Sequence, residues 1–140
     1  MSMTASQGWL KAASALLILV GLVFALAAWP PTAFAATFLV DLIKWPVDGM
    51  QSLASPEIML INGSSGGMMV GWGVMLWLLA DRLYPRDPAL FRTILFVSLG
   101  FWFLVDSAAS IMAGGALNVG LNIVFLALFA LPVLLARPAR

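Results

Sequence analysis

The chain has 140 residues, 63% of them hydrophobic and 9% charged, with a mean hydropathy of +1.05 and a formal net charge of +1. A soluble domain carries about 25% charged residues, so too little polar surface is present to cover a water-soluble core, and the composition is that of an integral membrane protein. A near-neutral chain offers no basic face to nucleic acid, the lack of cysteine excludes disulfides, thiol catalysis and iron–sulfur ligation, and the lack of histidine removes imidazole from any haem or zinc site.

At about 20 residues per span, the length allows three to five helices. Met1 to Leu10 is short and polar, and Ala12 to Trp29 carries no charge before Pro30-Pro31 stops it. This run is the first predicted span, about 12–29. The rival reading is a secretory leader, with Lys11 ahead of the apolar run and Ala33-Phe34-Ala35 as a small-residue cleavage site. The run is longer than the usual h-region, so the expectation is a retained span.

Residues 33–44 differ in pattern. Thr37, Asp41 and Lys44 recur at i, i+4 and i+7, and Phe34, Phe38 and Leu42 make a separate apolar row. Such a segment is too short to cross a bilayer, and its amphipathicity predicts a helix along the membrane surface, bracketed by Trp29 and Trp45; the alternative is a lid folded back over the bundle. A loop with Pro46 and Gly49 follows. Ser55-Pro56-Glu57 then has the order of a helix start: a capping hydroxyl, a proline at the first position and an acid at the positive dipole end. The second span covers about 57–80. Asp81 to Pro88 is a turn, in which Tyr84 is expected at the lipid–water interface. Asp87-Pro88 starts a third span at about 89–112, ended by Gly114-Gly115, and a fourth runs over about 118–136.

The charges orient these spans. Lys11, Arg82, Arg86, Arg92, Arg137 and Arg140 fall on one side, and Lys44 alone on the other. The positive-inside bias then puts both termini and the Asp81–Pro88 turn in the cytoplasm.

Within the second span, Gly63, Gly67 and Gly71 fall at i, i+4 and i+8 and form a stripe without side chains. Each glycine costs a helix about 1 kcal/mol relative to alanine. A tightly packed neighbour offsets that cost in lipid, so the stripe is expected to be a packing seam. Asp106 is the one charged residue deep in a span, and counting 1.5 Å per residue from the cytoplasmic arginines places it at about the depth of Asn122 and of Ser65 to Gly67. Ser110 is one turn from Asp106, and Asn118 and Asn122 share a face of the last span. Asp106, Ser110, Asn122, Asn118 and Ser65 are therefore the candidate intramembrane polar site, and the seam is expected where spans two, three and four meet. Each residue also has a plainer role. Asp106 can be a hydrogen-bonding strut between helices rather than a proton relay or ligand anchor. Asn118 fits a helix N-cap and Asn122 interhelical glue. No nucleophile–base pair, metal-ligand set, paired catalytic carboxylates or phosphate-binding glycine motif is present.

Three segments, Gly66-Gly67-Met68-Met69-Val70-Gly71-Trp72-Gly73-Val74, Trp102-Phe103-Leu104-Val105-Asp106-Ser107 and Asn118-Val119-Gly120-Leu121-Asn122-Ile123-Val124-Phe125-Leu126, resemble a set found in small bacterial four-span proteins of unknown function. The resemblance covers spans two to four, omits the amphipathic stretch, and implies a bacterial inner-membrane protein in which the three segments meet. It implies no activity. A looser likeness to DoxX-like four-helix membrane proteins rests on size and span count.

The expected fold is all-α: a single-domain transmembrane four-helix bundle with a short interfacial amphipathic helix after the first span. The expected function is a non-enzymatic helix-packing or accessory protein without cofactor or metal, whose partners are the bilayer and another membrane protein or a second copy. The alternative is binding or transport of a small amphiphile, a quinone-like molecule or a proton around Asp106.

Overall fold

The computed structural model describes residues 1–136; Arg137 and Arg140, two of the orienting charges, lie outside them. Among the described residues are five α-helices and no strand: α1 (Met3–Leu26), α2 (Phe34–Lys44), α3 (Pro56–Leu78), α4 (Pro88–Met112) and α5 (Leu117–Leu134). All but α2 are long and apolar enough to cross a membrane. Burial supports the same solvent. Phe101, Leu104 and Val105 are exposed, whereas Ser6, Ser14, Asn62, Ser107 and Asn122 are buried. A helix that turns large apolar side chains outward and keeps its polar ones inside is matched to lipid rather than to water.

The ends follow from local chemistry. The Ser2 hydroxyl accepts from the amide of Ala5 at 3.1 Å and opens α1 nine residues earlier than the polar start of the chain predicts. Leu10 and Ala13 are buried on its inner face, so packing extends the helix where composition alone reads as a leader to the span. At its other end α1 tightens into i→i+3 bonds from Ala27, Ala28 and Trp29 before Pro30-Pro31. Ser55 caps α3 by accepting from Ile58 N at 3.3 Å, with Pro56 and Glu57 in the first turn, and α3 runs through the glycine stretch without a break. It closes in one wide turn, Leu79–Leu83, with Tyr84 N donating to Leu79 O at 2.9 Å. Asp87 caps α4, accepting from Leu90 N at 2.9 Å.

The described residues divide into two compact units, residues 1–15 with 74–136, and residues 16–73. In the first, the end of α5 is tied down by its carbonyls. Ser6 Oγ donates to Pro132 O at 2.7 Å, Arg92 Nη2 to Val133 O at 3.0 Å, and the Met1 ammonium to Leu135 O at 3.0 Å. These groups are ones a helix C-terminus leaves unpaired, and two of the three donors bring positive charge to its negative dipole end. Lys11 Nζ reaches Asp81 Oδ1 at 2.9 Å and lies 5.0 Å from the Trp77 ring. Tyr84 is not an interfacial anchor. It is 1% exposed, 3.0 Å from Ser6 Oγ and stacked at 4.7 Å on Phe91. Ser6 already gives its one proton to Pro132, so the Tyr84 hydroxyl donates to Ser6.

In the second unit α1 and α3 meet through small residues. A Cβ on Gly66 would overlap Ala25 N and sit 2.5 Å from Gly21 O, and one on Gly21 would sit 2.9 Å from Gly66 O. A Cβ on Gly63 would lie 3.2 Å from that of Ala28. The seam therefore joins Gly21 and Ala25 of α1, with Ala28 in the turn just beyond it, to Gly63 and Gly66 of α3. This corrects the expected stripe in two respects. Gly67 and Gly71 have open space where a side chain would project, and the atoms that close on Gly63 and Gly66 belong to residues 21–28. Adjacent Gly66 and Gly67 point about 100° apart on a helix, and spacing within α3 alone cannot choose between the two rows; the small residues of α1 do.

α2 packs at the same unit's core with Ala27, Ala36 and Leu53. Its polar row does not simply face water: Asp41 is buried, whereas Phe34 and Phe38 are exposed.

Candidate functional site

α4 and α5 pack along one another, and the turn between them sets their register. Gly114, at φ +73°, takes the left-handed conformation that only glycine adopts without cost. Its amide donates to Ile111 O at 3.0 Å and that of Gly115 to Ser110 O at 2.8 Å, the paired bonds that end a helix and reverse the chain. Asp106, Ser107 and Ser110 then lie on the face of α4 that meets Asn118 and Asn122 in the first two turns of α5.

The four polar partners surround the carboxylate of Asp106. Asn122 Nδ2 donates to Asp106 Oδ2 at 2.7 Å and to Ser107 Oγ at 3.1 Å. Asn118 Nδ2 donates to the same Oδ2 at 3.0 Å and to Ser110 Oγ at 2.8 Å. Each amide thus bridges the carboxylate and one serine. Asn122 and Ser107 are buried, and Asp106, Ser110 and Asn118 are half-buried. Bonds to an ionisable acceptor are shorter and stronger than those between neutral groups, as the 2.7 Å contact illustrates. Asp106 is six residues from the end of α4, about 9 Å at helical rise, and a carboxylate near the end of a span costs less than one at the bilayer centre.

Four of the five residues expected to form a polar site, Asp106, Ser110, Asn118 and Asn122, come together. Ser65 lies on α3 in the other unit, half-buried, and the cluster is complete without it. Asn118 is not the N-cap of α5. Ala116 holds that position without a side-chain bond, and the amide of Asn118 is committed to Asp106 and Ser110. Ser107 is the member that the candidate set omits. Its signal is adjacency to Asp106, and its place follows from a helix face about two residues wide at a polar contact.

Two further polar groups of the second unit are buried with an atom unpaired: Asp41 Oδ1 and Asn62 Nδ2. Among the described residues no three histidine, cysteine or acidic side chains assemble in a way that would hold a metal ion. Comparison with family models, with curated proteins and with solved structures finds no match to the chain.

Proposed function

We propose that this chain is a structural or accessory protein of the bacterial inner membrane: a four-span helix bundle without catalytic chemistry, with both termini in the cytoplasm, held together by small-residue seams and one polar clamp. The observation that carries the reading is the convergence of Asn118 and Asn122 on a single oxygen of Asp106, each amide also engaging a serine. A carboxylate whose donors come from the neighbouring helix is a strut. In lipid, where burial of apolar surface does not drive helices together, such bonds and close backbone contact supply association and register.

The orientation is supported by Lys11, Arg82, Arg86 and Arg92, which gather around the start of α1, the Leu79–Leu83 turn and the start of α4. α2 is assigned to the outer interface, with Phe34 and Phe38 turned to lipid, on their exposure and on the exposed Trp29 and Trp45 beside it. The chain's partners in this reading are the bilayer and a membrane protein or second copy packed on the open Gly67 and Gly71 face.

A second reading, transfer of a proton or small amphiphile through Asp106, draws on one observation: the two amides both bond Oδ2 of an ionisable carboxyl rather than one oxygen each. Proteoliposomes loaded with a pH-sensitive dye separate the two. As a strut, Asp106 passes no protons, the wild-type protein matches protein-free vesicles, and Asp106→Asn stays folded with a modest loss of stability. Proton flux in the wild type that disappears in a folded Asp106→Asn variant would replace the structural reading with the transport one.

A further inference from the structure

The second unit carries an open groove of about 490 Å³, lined by residues of that unit alone. Phe34, Phe38 and Leu53 supply an apolar wall, and Thr37, Asp41 and Ser52 a polar one. Volumes between about 300 and 1,000 Å³ are those of small-molecule sites, mostly apolar with a few polar groups.

Asp41 gives this groove its chemistry. The residue is 4% exposed. Its Oδ2 accepts from Gly49 N at 3.0 Å, and its Oδ1 is buried with no partner. A buried acceptor without a donor loses its hydration and gains nothing in return, which makes it an unstable arrangement unless something else supplies an N–H or O–H. Thr37, one turn away on the same helix, does not: its hydroxyl is spent on Ala33 O at 2.9 Å. The surrounding segment is also net acidic. Between residues 30 and 57 the chain carries three carboxylates, Asp41, Asp48 and Glu57, against one lysine, Lys44. A single water can satisfy one oxygen, but it occupies about 30 Å³ of liquid volume, a small part of this space.

We propose that the groove binds the primary ammonium group of an amphiphile, with an N–H donated to the Asp41 carboxylate and the apolar portion lying against Phe34, Phe38 and Leu53. The turn of residues 47–50, which brings Gly49 N to Asp41, is exposed throughout. Gly49, at φ +72° with no neighbour where a side chain would project, holds that turn to the carboxylate by its one amide bond. Shifting the turn therefore breaks little packing. The same chemistry occurs in an aminophospholipid headgroup and in a free alkylamine. The site lies on different elements from the Asp106 clamp, and its fate is independent of the function proposed for that clamp.

The test uses the full-length protein, delipidated in a detergent without amines and titrated with short-chain phosphatidylethanolamine or phosphatidylcholine, with binding read by native mass spectrometry and calorimetry. The two lipids carry the same charge on the headgroup nitrogen, and only the first has N–H donors. Phosphatidylethanolamine is expected to bind at least about ten-fold tighter, and Asp41→Asn to remove most of that preference. Competition by octylamine and by ethanolamine identifies the source. Displacement by octylamine alone shows that the apolar portion contributes, and displacement by both shows that the ammonium suffices. Octylamine binding without any preference between the lipids makes a free amine the ligand. Equal affinity for the two lipids with no amine binding overturns the proposal, and so does an ethanolamine preference that survives in a folded Asp41→Asn protein. The wild-type comparison of headgroups decides the question even where that variant fails to fold.

Discussion

Alanine scanning of the α3 glycines discriminates between the two rows that the sequence offers. At Gly66 the added Cβ would meet backbone: Gly21 O at 2.5 Å and Ala25 Cα at 2.7 Å. These distances are roughly an ångström short of ordinary contact, and main-chain atoms of α1 cannot rotate away. The helices must separate, which in a packed interior costs about 1–3 kcal/mol and also loosens Gly63 against Ala28. Against this stands the gain in helix propensity, about 1 kcal/mol for glycine to alanine. The difference is a net loss of about 0–2 kcal/mol, centred near 1, for Gly66→Ala, rising steeply for Gly66→Leu. At Gly67 and Gly71 nothing lies within 4 Å of the new atom, so only the propensity gain remains, and these variants should be neutral or more stable by up to about 1 kcal/mol. Reversible unfolding in mixed micelles, followed by tryptophan fluorescence, measures the order. Damage at Gly67→Ala equal to that at Gly66→Ala, or a silent Gly66→Ala, would refute the assigned seam. Damage at Gly67 appearing only as loss of a dimer on a sizing column would leave the α1–α3 seam intact and assign the second row to a second copy.

Three other outcomes follow from contacts already described. Ser6→Ala leaves Pro132 O and the Tyr84 hydroxyl unpaired inside the first unit and should cost about 1–3 kcal/mol; Tyr84→Phe, which removes only a donor, should cost less than about 1 kcal/mol. The opposite order would refute the assigned direction of that bond. Asn122→Leu takes the 2.7 Å donor from Asp106, and its cost should exceed that of Asn118→Leu, with a coupling to Asp106→Asn of about 0.5–2 kcal/mol in a double-mutant cycle; additivity would show that the clamp does not act as a unit. Because the chain has no cysteine, single cysteines report orientation directly. At the exposed positions Asp48 and Arg86, an impermeant maleimide added to intact cells should label the first and not the second, and labelling at Arg86 would invert the assigned topology.

The parts of this architecture that the sequence reveals are those written in one segment at a time. Span length, the Ser55-Pro56-Glu57 and Asp87-Pro88 starts and the Gly114-Gly115 stop depend on neighbours a few residues away, and α3, α4 and the turn after α4 begin and end close to where those signals stand. The polar cluster is legible for a related reason. With a two-glycine turn between antiparallel helices, equal counts outward from the turn bring Ser110 to Asn118 and Asp106 to Asn122. The misplaced features all need a partner that local pattern does not name. Tyr84 reads as an interfacial aromatic until Ser6 and Phe91 enclose it. Gly67 reads as the seam until Gly21 and Ala25 select Gly66. Asp41 reads as a solvated face until the Gly49 amide, eight residues on, accounts for one of its oxygens.

The α4–α5 pair shows how such local signals become a defined register in lipid. Its contacts step evenly along both helices, from Asn118 with Ser110 and Asn122 with Asp106, through Phe125 tilted against Trp102 at 4.9 Å, to the Arg92 guanidinium on Val133 O. Apolar packing alone tolerates a slip by one turn, because the residues between these points are mostly apolar side chains that lipid solvates equally well. A slip of one residue pair would strip Asp106 of both donors and Arg92 of its carbonyl together. Polar groups at the two ends with an aromatic contact between them therefore penalise every register but one, at points where a carboxylate and a guanidinium are cheap to keep because both lie toward the ends of the span. On the structural reading proposed for Asp106, its carboxyl serves the alignment that these bonds enforce.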